Sequence, residues 1–232
     1  MTNQAHLLLP PPFKAYAVGP GDLLDLAQDM AGEGAGTLLW RHEAGVLALA
    51  VILEPAPPLC STPAEAELGY VAGLGALCDM LAHHAQPERP VRIDWPDRVV
   101  YDTATLAGAR WRAGPVGADG LPEWVIFAAE MISERPGLDE PGRYPGSTAL
   151  EEEEFPPPAP MLESFAAFLK LIIDRWSTQG PEAVLRRVLD RVDGPGALAE
   201  ARIEGGRLRL PPLRDILAED RWRDAARGGP QW

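Results

Sequence analysis

Between Arg89 and Arg112 the chain reads RPVRIDWPDRVVYDTATLAGARWR, and this stretch limits the fold more than any other. Val91, Ile93 and Trp95 alternate with Arg92 and Asp94, which is the period of a half-buried strand. Pro96 stops that ladder because it has no amide hydrogen to donate. Asp97 and Arg98 follow at the turn. Val99 and Tyr101 then alternate with Val100, and Leu106 to Ala109 resume an extended segment. The layout is a strand, a tight bend, a short strand and a further strand. Trp95 and Pro96 would wall the bend, with Asp97 at its mouth. Such a corner can hold a small ligand, or it can be an ordinary structural turn.

Composition narrows the partners. A chain of 232 residues is long enough for one full core, or for one domain with a small appendage. Its formal net charge of -13 disfavours free nucleic acid and an anionic membrane surface, both of which need clustered positive charge. No run is long enough for a membrane-spanning helix. MTNQAHLLLPPPF lacks the basic start of a secretion signal, and Cys60 and Cys78 have no metal or redox spacing, so a cytoplasmic location is expected. The cations are almost all arginine, with lysine only at Lys14 and Lys170. Arginine clamps anions but does not titrate, so it is a poor stand-in for a catalytic lysine.

Taken in order, Leu7 to Val18 reads as an extended arm. Asp22 caps a helix through Leu23, Leu24, Ala27 and Met30. Thr37 to Arg41 and Val46 to Leu53 form a hairpin around His42-Glu43-Ala44-Gly45. Ala64 to His83 reads as one long helix, close-packed at Gly69, Gly73 and Gly75. Glu123 to Ile132 is a central strand, and Glu130 inside it needs a partner or a cavity. Residues 133–160 are rich in glycine, proline and glutamate. Glu151 to Glu154 read as a solvated linker, and Arg135 to Glu154 are also placed to act as a lid. Met161 to Trp176 and Glu182 to Val192 are amphipathic helices. Ala199 to Leu210 is a closing hairpin, followed by a tail in which Trp222 can pack back. The expected fold is α+β, with helices on a mostly antiparallel or mixed central sheet. The expected division is a main domain at 1–195 and a small hairpin and tail at 196–232, a remnant of an appended domain.

VRIDWPDRVVYDTATLAG resembles the strand-turn-strand signature of the biotin/lipoate protein ligases, and the elements around it come in that family's order. The resemblance covers roughly residues 15–195. It implies a catalytic domain that activates biotin or lipoate with ATP and magnesium and transfers the acyl group to a lysine of a carrier-protein domain. Trp95 and Pro96 match the signature outright. Asp97 matches its asparagine or the acid that follows. Gly108 matches the glycine that lets the backbone approach the ligand. The resemblance makes Trp95, Pro96, Asp97, Gly108 and Ala128 candidates for ligand binding, with Arg98 and Arg110 as nearby cations.

The departures are specific. Asp94 stands where the family has a lysine, and Thr105 stands where it has a second. RHEAG is too short for the family's glycine- and arginine-rich loop over the adenylate, and alternation puts Arg92 where it can neutralise Asp94. Each lost contact to a phosphate or oxyanion costs about 3 kcal/mol of transition-state stabilisation. Three functions follow as alternatives: a divergent ligase, a non-catalytic binder of a small acyl ligand or carrier domain, and a scaffold whose pocket is filled by Trp95, Tyr101 or Trp111.

Overall fold

The computed structural model describes residues 3–4, 7–138, 144–192, 202–204, 207–209, 217, 222–224, 226 and 229–231. Its centre is a mixed sheet of eight strands. In chain order these are β1 (Asn3–Gln4), β2 (Lys14–Ala17), β3 (Thr37–Glu43), β4 (Val46–Leu53), β5 (Val91–Asp94), β6 (Arg98–Tyr101), β7 (Ala104–Ala113) and β8 (Val125–Ile132). Across the sheet they run β1-β2-β3-β4-β8-β7-β6-β5. The β2–β3 pair is parallel and the other neighbours are antiparallel. With its helices this is an α+β fold, as expected.

The strand β8 lies between β4 and β7, and all eight of its residues are buried. Its side chains alternate, so Phe127, Ala129 and Met131 face one layer while Ile126, Ala128 and Glu130 face the other. The first layer holds the main core. It is built by α3 (Leu68–His84), α4 (Pro158–Gln179) and α5 (Pro181–Leu189). At Gly73 the helix α3 rides directly over Phe127, and a Cβ there would meet the Phe127 ring at 2.3 Å. Tyr70 and Phe165 complete an aromatic group around Phe127, with ring centroids 5.7 and 6.1 Å away. Such a layer is held by apolar burial and close fit.

The second layer is thinner. Its helix is α1 (Leu23–Asp29), started by Asp22, whose Oδ1 accepts from the Leu24 amide at 2.9 Å. Leu23, Leu24 and Ala27 press on Ala48, Ala50, Ile126 and Ala128. Beside α1 sit β11 (Arg223–Asp224) and β12 (Gly229–Pro230), an antiparallel pair lying against β8 and β7. A further antiparallel pair, β9 (Arg202–Glu204) and β10 (Arg207–Arg209), matches the expected closing hairpin.

Several expectations need correction. Lys14–Ala17 is extended and lies along the body as expected, but it does so as a strand of the sheet paired with β3. The long helix is broken at Glu67 into α2 (Pro63–Ala66) and α3, with Thr62 capping the first piece. His42 and Glu43 pair within β3, so the hairpin tip is Ala44-Gly45, where both residues have positive φ. Arg92 reaches the carbonyl of Asp190, and it is Arg98 that pairs with Asp94. The described part of 133–160 is packed in places, while Glu151, Glu152 and Glu154 are exposed as a solvated run would be. Thr148, Ala149 and Leu150 are buried, and Phe155 meets the Tyr101 ring on the helix side of the sheet. The glutamate run is held by distant cations: Glu152 accepts from Arg135 at 2.7 Å, and Glu153 pairs with Arg89. Like charges adjacent in sequence repel only where no such counter-charge arrives.

Candidate functional site

The face of the sheet shared with α1 carries a row set by register. Ala48 on β4 opposes Glu130 on β8, Glu130 opposes Gly108 on β7, and Gly108 opposes Arg98 on β6. In the next row Ala50, Ala128 and Arg110 are neighbours. Strand alternation puts all of these side chains on one side. Asp97, at the bend before β6, is buried at the edge of the same face.

Trp222 lies over the middle of this row. It is only 5% exposed, and a Cβ at position 108 would lie 2.1 Å from its ring. Only glycine leaves room for an indole so close to the strand. The ring nitrogen donates to Asp97 Oδ2 at 3.0 Å. Gln231 donates its amide to the Trp222 carbonyl at 2.8 Å and so ties β12 to the same unit.

Arg223 answers the buried carboxylate. Glu130 is 1% exposed, and its Oε2 accepts from Arg223 Nε at 2.8 Å. Its other oxygen accepts no hydrogen bond and has Arg110 at 3.9 Å. Arg110 donates to Asp22 Oδ2 at 2.8 Å, and Arg223 stands 3.6 Å from the same oxygen. At the rim Arg112 donates to Asp25 at 2.8 Å and to Gln28 at 2.9 Å, and Arg98 pairs with exposed Asp94. Burial pushes the Glu130 carboxyl above its ordinary 4.5, and Arg223 and Arg110 offset this only in part. Burial acts in the same direction on Asp22. There the hydrogen bond and charge of Arg110 and the Leu24 amide win, and the pKa falls below the ordinary 3.8.

Before Arg223 is counted, Asp22, Asp25, Glu43, Asp94, Asp97 and Glu130 share this face with Arg41, Arg98, Arg110 and Arg112. The face is therefore acidic. It favours hydrogen-bond donors and cations, and a phosphate placed there would meet carboxylates at short range.

The residues expected to form a site divide into two groups. Asp97, Gly108, Arg110 and Ala128 share the face, and Arg98 is at its rim. Trp95 goes elsewhere: it packs against the helix-side core with Val91 and Ile93, as its alternation demands. Pro96 presents its carbonyl to the Tyr70 hydroxyl at 2.8 Å. Of the residues expected to fill a pocket, Tyr101 is buried in the helix-side core and Trp111 packs on it. The residue over the glycine is Trp222. Thr105 is buried and its amide bonds to the Gly146 carbonyl at 2.9 Å, which makes it a strand-end anchor. Trp222, Arg223 and Asp22 were not foreseen as a group. The one local signal was Glu130, a carboxylate in an apolar strand that called for a distant cation.

Comparison with known proteins bears on this arrangement. The model of the biotin/lipoate A/B protein ligase family matches residues 9–189. No curated protein matches the chain. Among solved structures, a biotin protein ligase-like protein of unknown function from Silicibacter sp. TM1040 is 26% identical. The match covers 88% of this chain and 87% of that one, with a TM-score of 0.66. The biotin protein ligase of Aquifex aeolicus is 14% identical, with 84% of each chain covered and a TM-score of 0.58. That of Leishmania major, solved with biotinyl-5-AMP, is 18% identical, with 85% and 87% covered and a TM-score of 0.56. The last two likenesses concern the fold.

Proposed function

The chain belongs to the biotin/lipoate A/B protein ligase family, and we propose that within it this protein binds without adenylating. Its ligand would be a small acyl group of the biotin or lipoate kind, free or on a carrier domain. The observation that carries this reading is the charge of the sheet face. Arg98, Arg110, Arg112 and Arg223 are each matched to a carboxylate, and Asp94 stands where the resemblance expects a lysine. ATP and magnesium do not fit this donor set. An adenylate brings a phosphate that needs an unmatched cation, and such a cation stabilises the charge that develops on the acyl oxygens.

A second reading has an observation of its own. Trp222 occupies the ground above Gly108, so the face is closed by the protein itself and the molecule is a scaffold. Calorimetric titration with biotin, lipoate and octanoate, each with and without Mg-ATP, separates the readings. Saturable acyl binding that ATP leaves unchanged is the expected result. Binding that tightens with ATP would restore the ligase reading, and no heat from a folded sample would favour the scaffold.

A further inference from the structure

Trp222 and Arg223 occupy this face as a pair of adjacent anchors. The indole lies on Gly108 and gives its one N–H to Asp97, and the next guanidinium enters between Glu130 and Asp22. Each half of the dipeptide meets a group suited to it. A glycine leaves a flat seat for a ring, a buried carboxylate accepts the indole N–H, and two carboxylates receive the arginine. Glu130 Oε1 remains without a hydrogen bond, so the acidic end has acceptor capacity to spare. The strand pair β11–β12 adds backbone order behind the two anchors.

We propose that the sheet face is a peptide-recognition site for a tryptophan followed by an arginine, filled in cis by Trp222 and Arg223. The ligand class is a cationic aromatic peptide, opposite in charge to an acyl-adenylate. The proposal rests on the reading of the face as non-adenylating, and it goes further by naming what the acidic row binds. Recognition in cis benefits from tethering, which raises the local concentration of the segment far above that of a free peptide. The same contacts work in trans once the tethered copy is removed.

The test uses the full-length chain carrying W222A and R223A together, checked for folding by circular dichroism. It is titrated with the synthetic peptide RWRDAARGGPQ, the sequence of residues 221–231. Saturable binding is expected, at least ten-fold tighter than to the wild-type chain, whose site is already filled. Replacing the peptide's tryptophan and second arginine by alanine is expected to weaken binding at least ten-fold. A folded double variant that shows no saturation up to millimolar peptide would overturn the proposal, as would equal binding of the altered peptide.

A second variant, Gly108→Ala, keeps both anchors and spoils the seat. It is expected to speed amide exchange across residues 222–231 at least ten-fold while β8 stays protected. Unchanged exchange there would count against the proposal. Biotin and Mg-ATP are titrated into the same samples. An ATP-dependent signal would overturn the non-adenylating reading, and the peptide data would still decide peptide recognition.

Discussion

The two faces of the sheet are held by different physics. On the helix side, α3, α4 and α5 bury Phe127, Tyr70, Phe165 and their neighbours in one apolar core. On the other side, α1 and the pair β11–β12 cover a row that contains Glu130, Arg110 and Asp22, and a tryptophan is seated by a hydrogen bond. The first face is close-packed, and its buried charge, Asp79 of α3, is paired with Arg187 and Arg191 at its margin. The second depends on matched charges that arrive from residues far apart in sequence, and it is the one that carries the candidate site. A face built this way can change what it binds by exchanging a few partners, whereas the packed face cannot change without repacking.

The contrast is broken most directly at the two glycines that allow close approach. Gly73→Val puts a branched side chain where even a Cβ meets the Phe127 ring at 2.3 Å. Neither α3 nor β8 can move aside, so the expected loss is about 3 kcal/mol in urea denaturation, at the upper end of overpacking costs. Arg223→Ala comes next. It leaves Glu130 buried without its guanidinium, and a broken buried pair costs about 3 kcal/mol or more. Protonation of Glu130 limits the loss, so about 2 kcal/mol is expected at neutral pH.

The sign with pH follows from the raised pKa of Glu130. Its folded state holds the proton more tightly than the unfolded state, so its contribution is fully present below the ordinary 4.5 and is lost as pH rises through the folded value. Removing Arg223 steepens that loss. The gap between wild type and variant is therefore expected to widen from pH 4 to pH 7, and denaturation midpoints at several pH values measure it. Asp22 has the opposite sign. Its lowered pKa contributes stability above the ordinary 3.8 that disappears as pH falls through the folded value.

Gly108→Ala has a smaller expected cost than Gly73→Val, about 1 kcal/mol, although the Cβ contact is as short. Trp222 directly precedes the two-residue strand β11, whereas Phe127 belongs to the central strand β8, which is fixed on both sides. Equal costs at the two positions would remove the distinction between the faces. The smallest effect is expected from Asp94→Lys. It breaks an exposed pair with Arg98, worth under about 0.5 kcal/mol. It restores the family's charge at one position but leaves Glu130, Asp97 and Trp222 in place, so calorimetry is expected to show no gain in ATP binding.

The helix-side face was largely legible. The apolar run from Ala64 to His83, with its glycines, marked a long close-packed helix, and alternation at Val91, Ile93 and Trp95 marked β5. Val91, Ile93 and Trp95 pack on the core that their period implied. The other face was legible only in part. Gly108, Ala128, Arg110 and Asp97 were identified, but the groups that meet them were not. The Trp222–Asp97 contact spans 125 positions and the Arg223–Glu130 contact spans 93. No local pattern encodes such pairs. The partner of Glu153 was hidden for the same reason, because Arg89 is 64 positions away.

The position of Arg223 also sets an order of assembly on the ribosome. The helix-side layer has nearly all its parts once α5 has been made at Leu189, with Val192 and Leu217 still to pack on it, but Glu130 waits for a guanidinium encoded 93 residues after it. At ordinary elongation rates the chain from Leu189 to Asp224 takes about 2–7 s to emerge. During that interval the nascent protein is a one-sided sandwich, with a nearly finished core on one face and an acidic furrow along the other. On the proposed peptide recognition, a cationic aromatic segment of another chain would compete for that furrow until the chain's own tryptophan and arginine arrive.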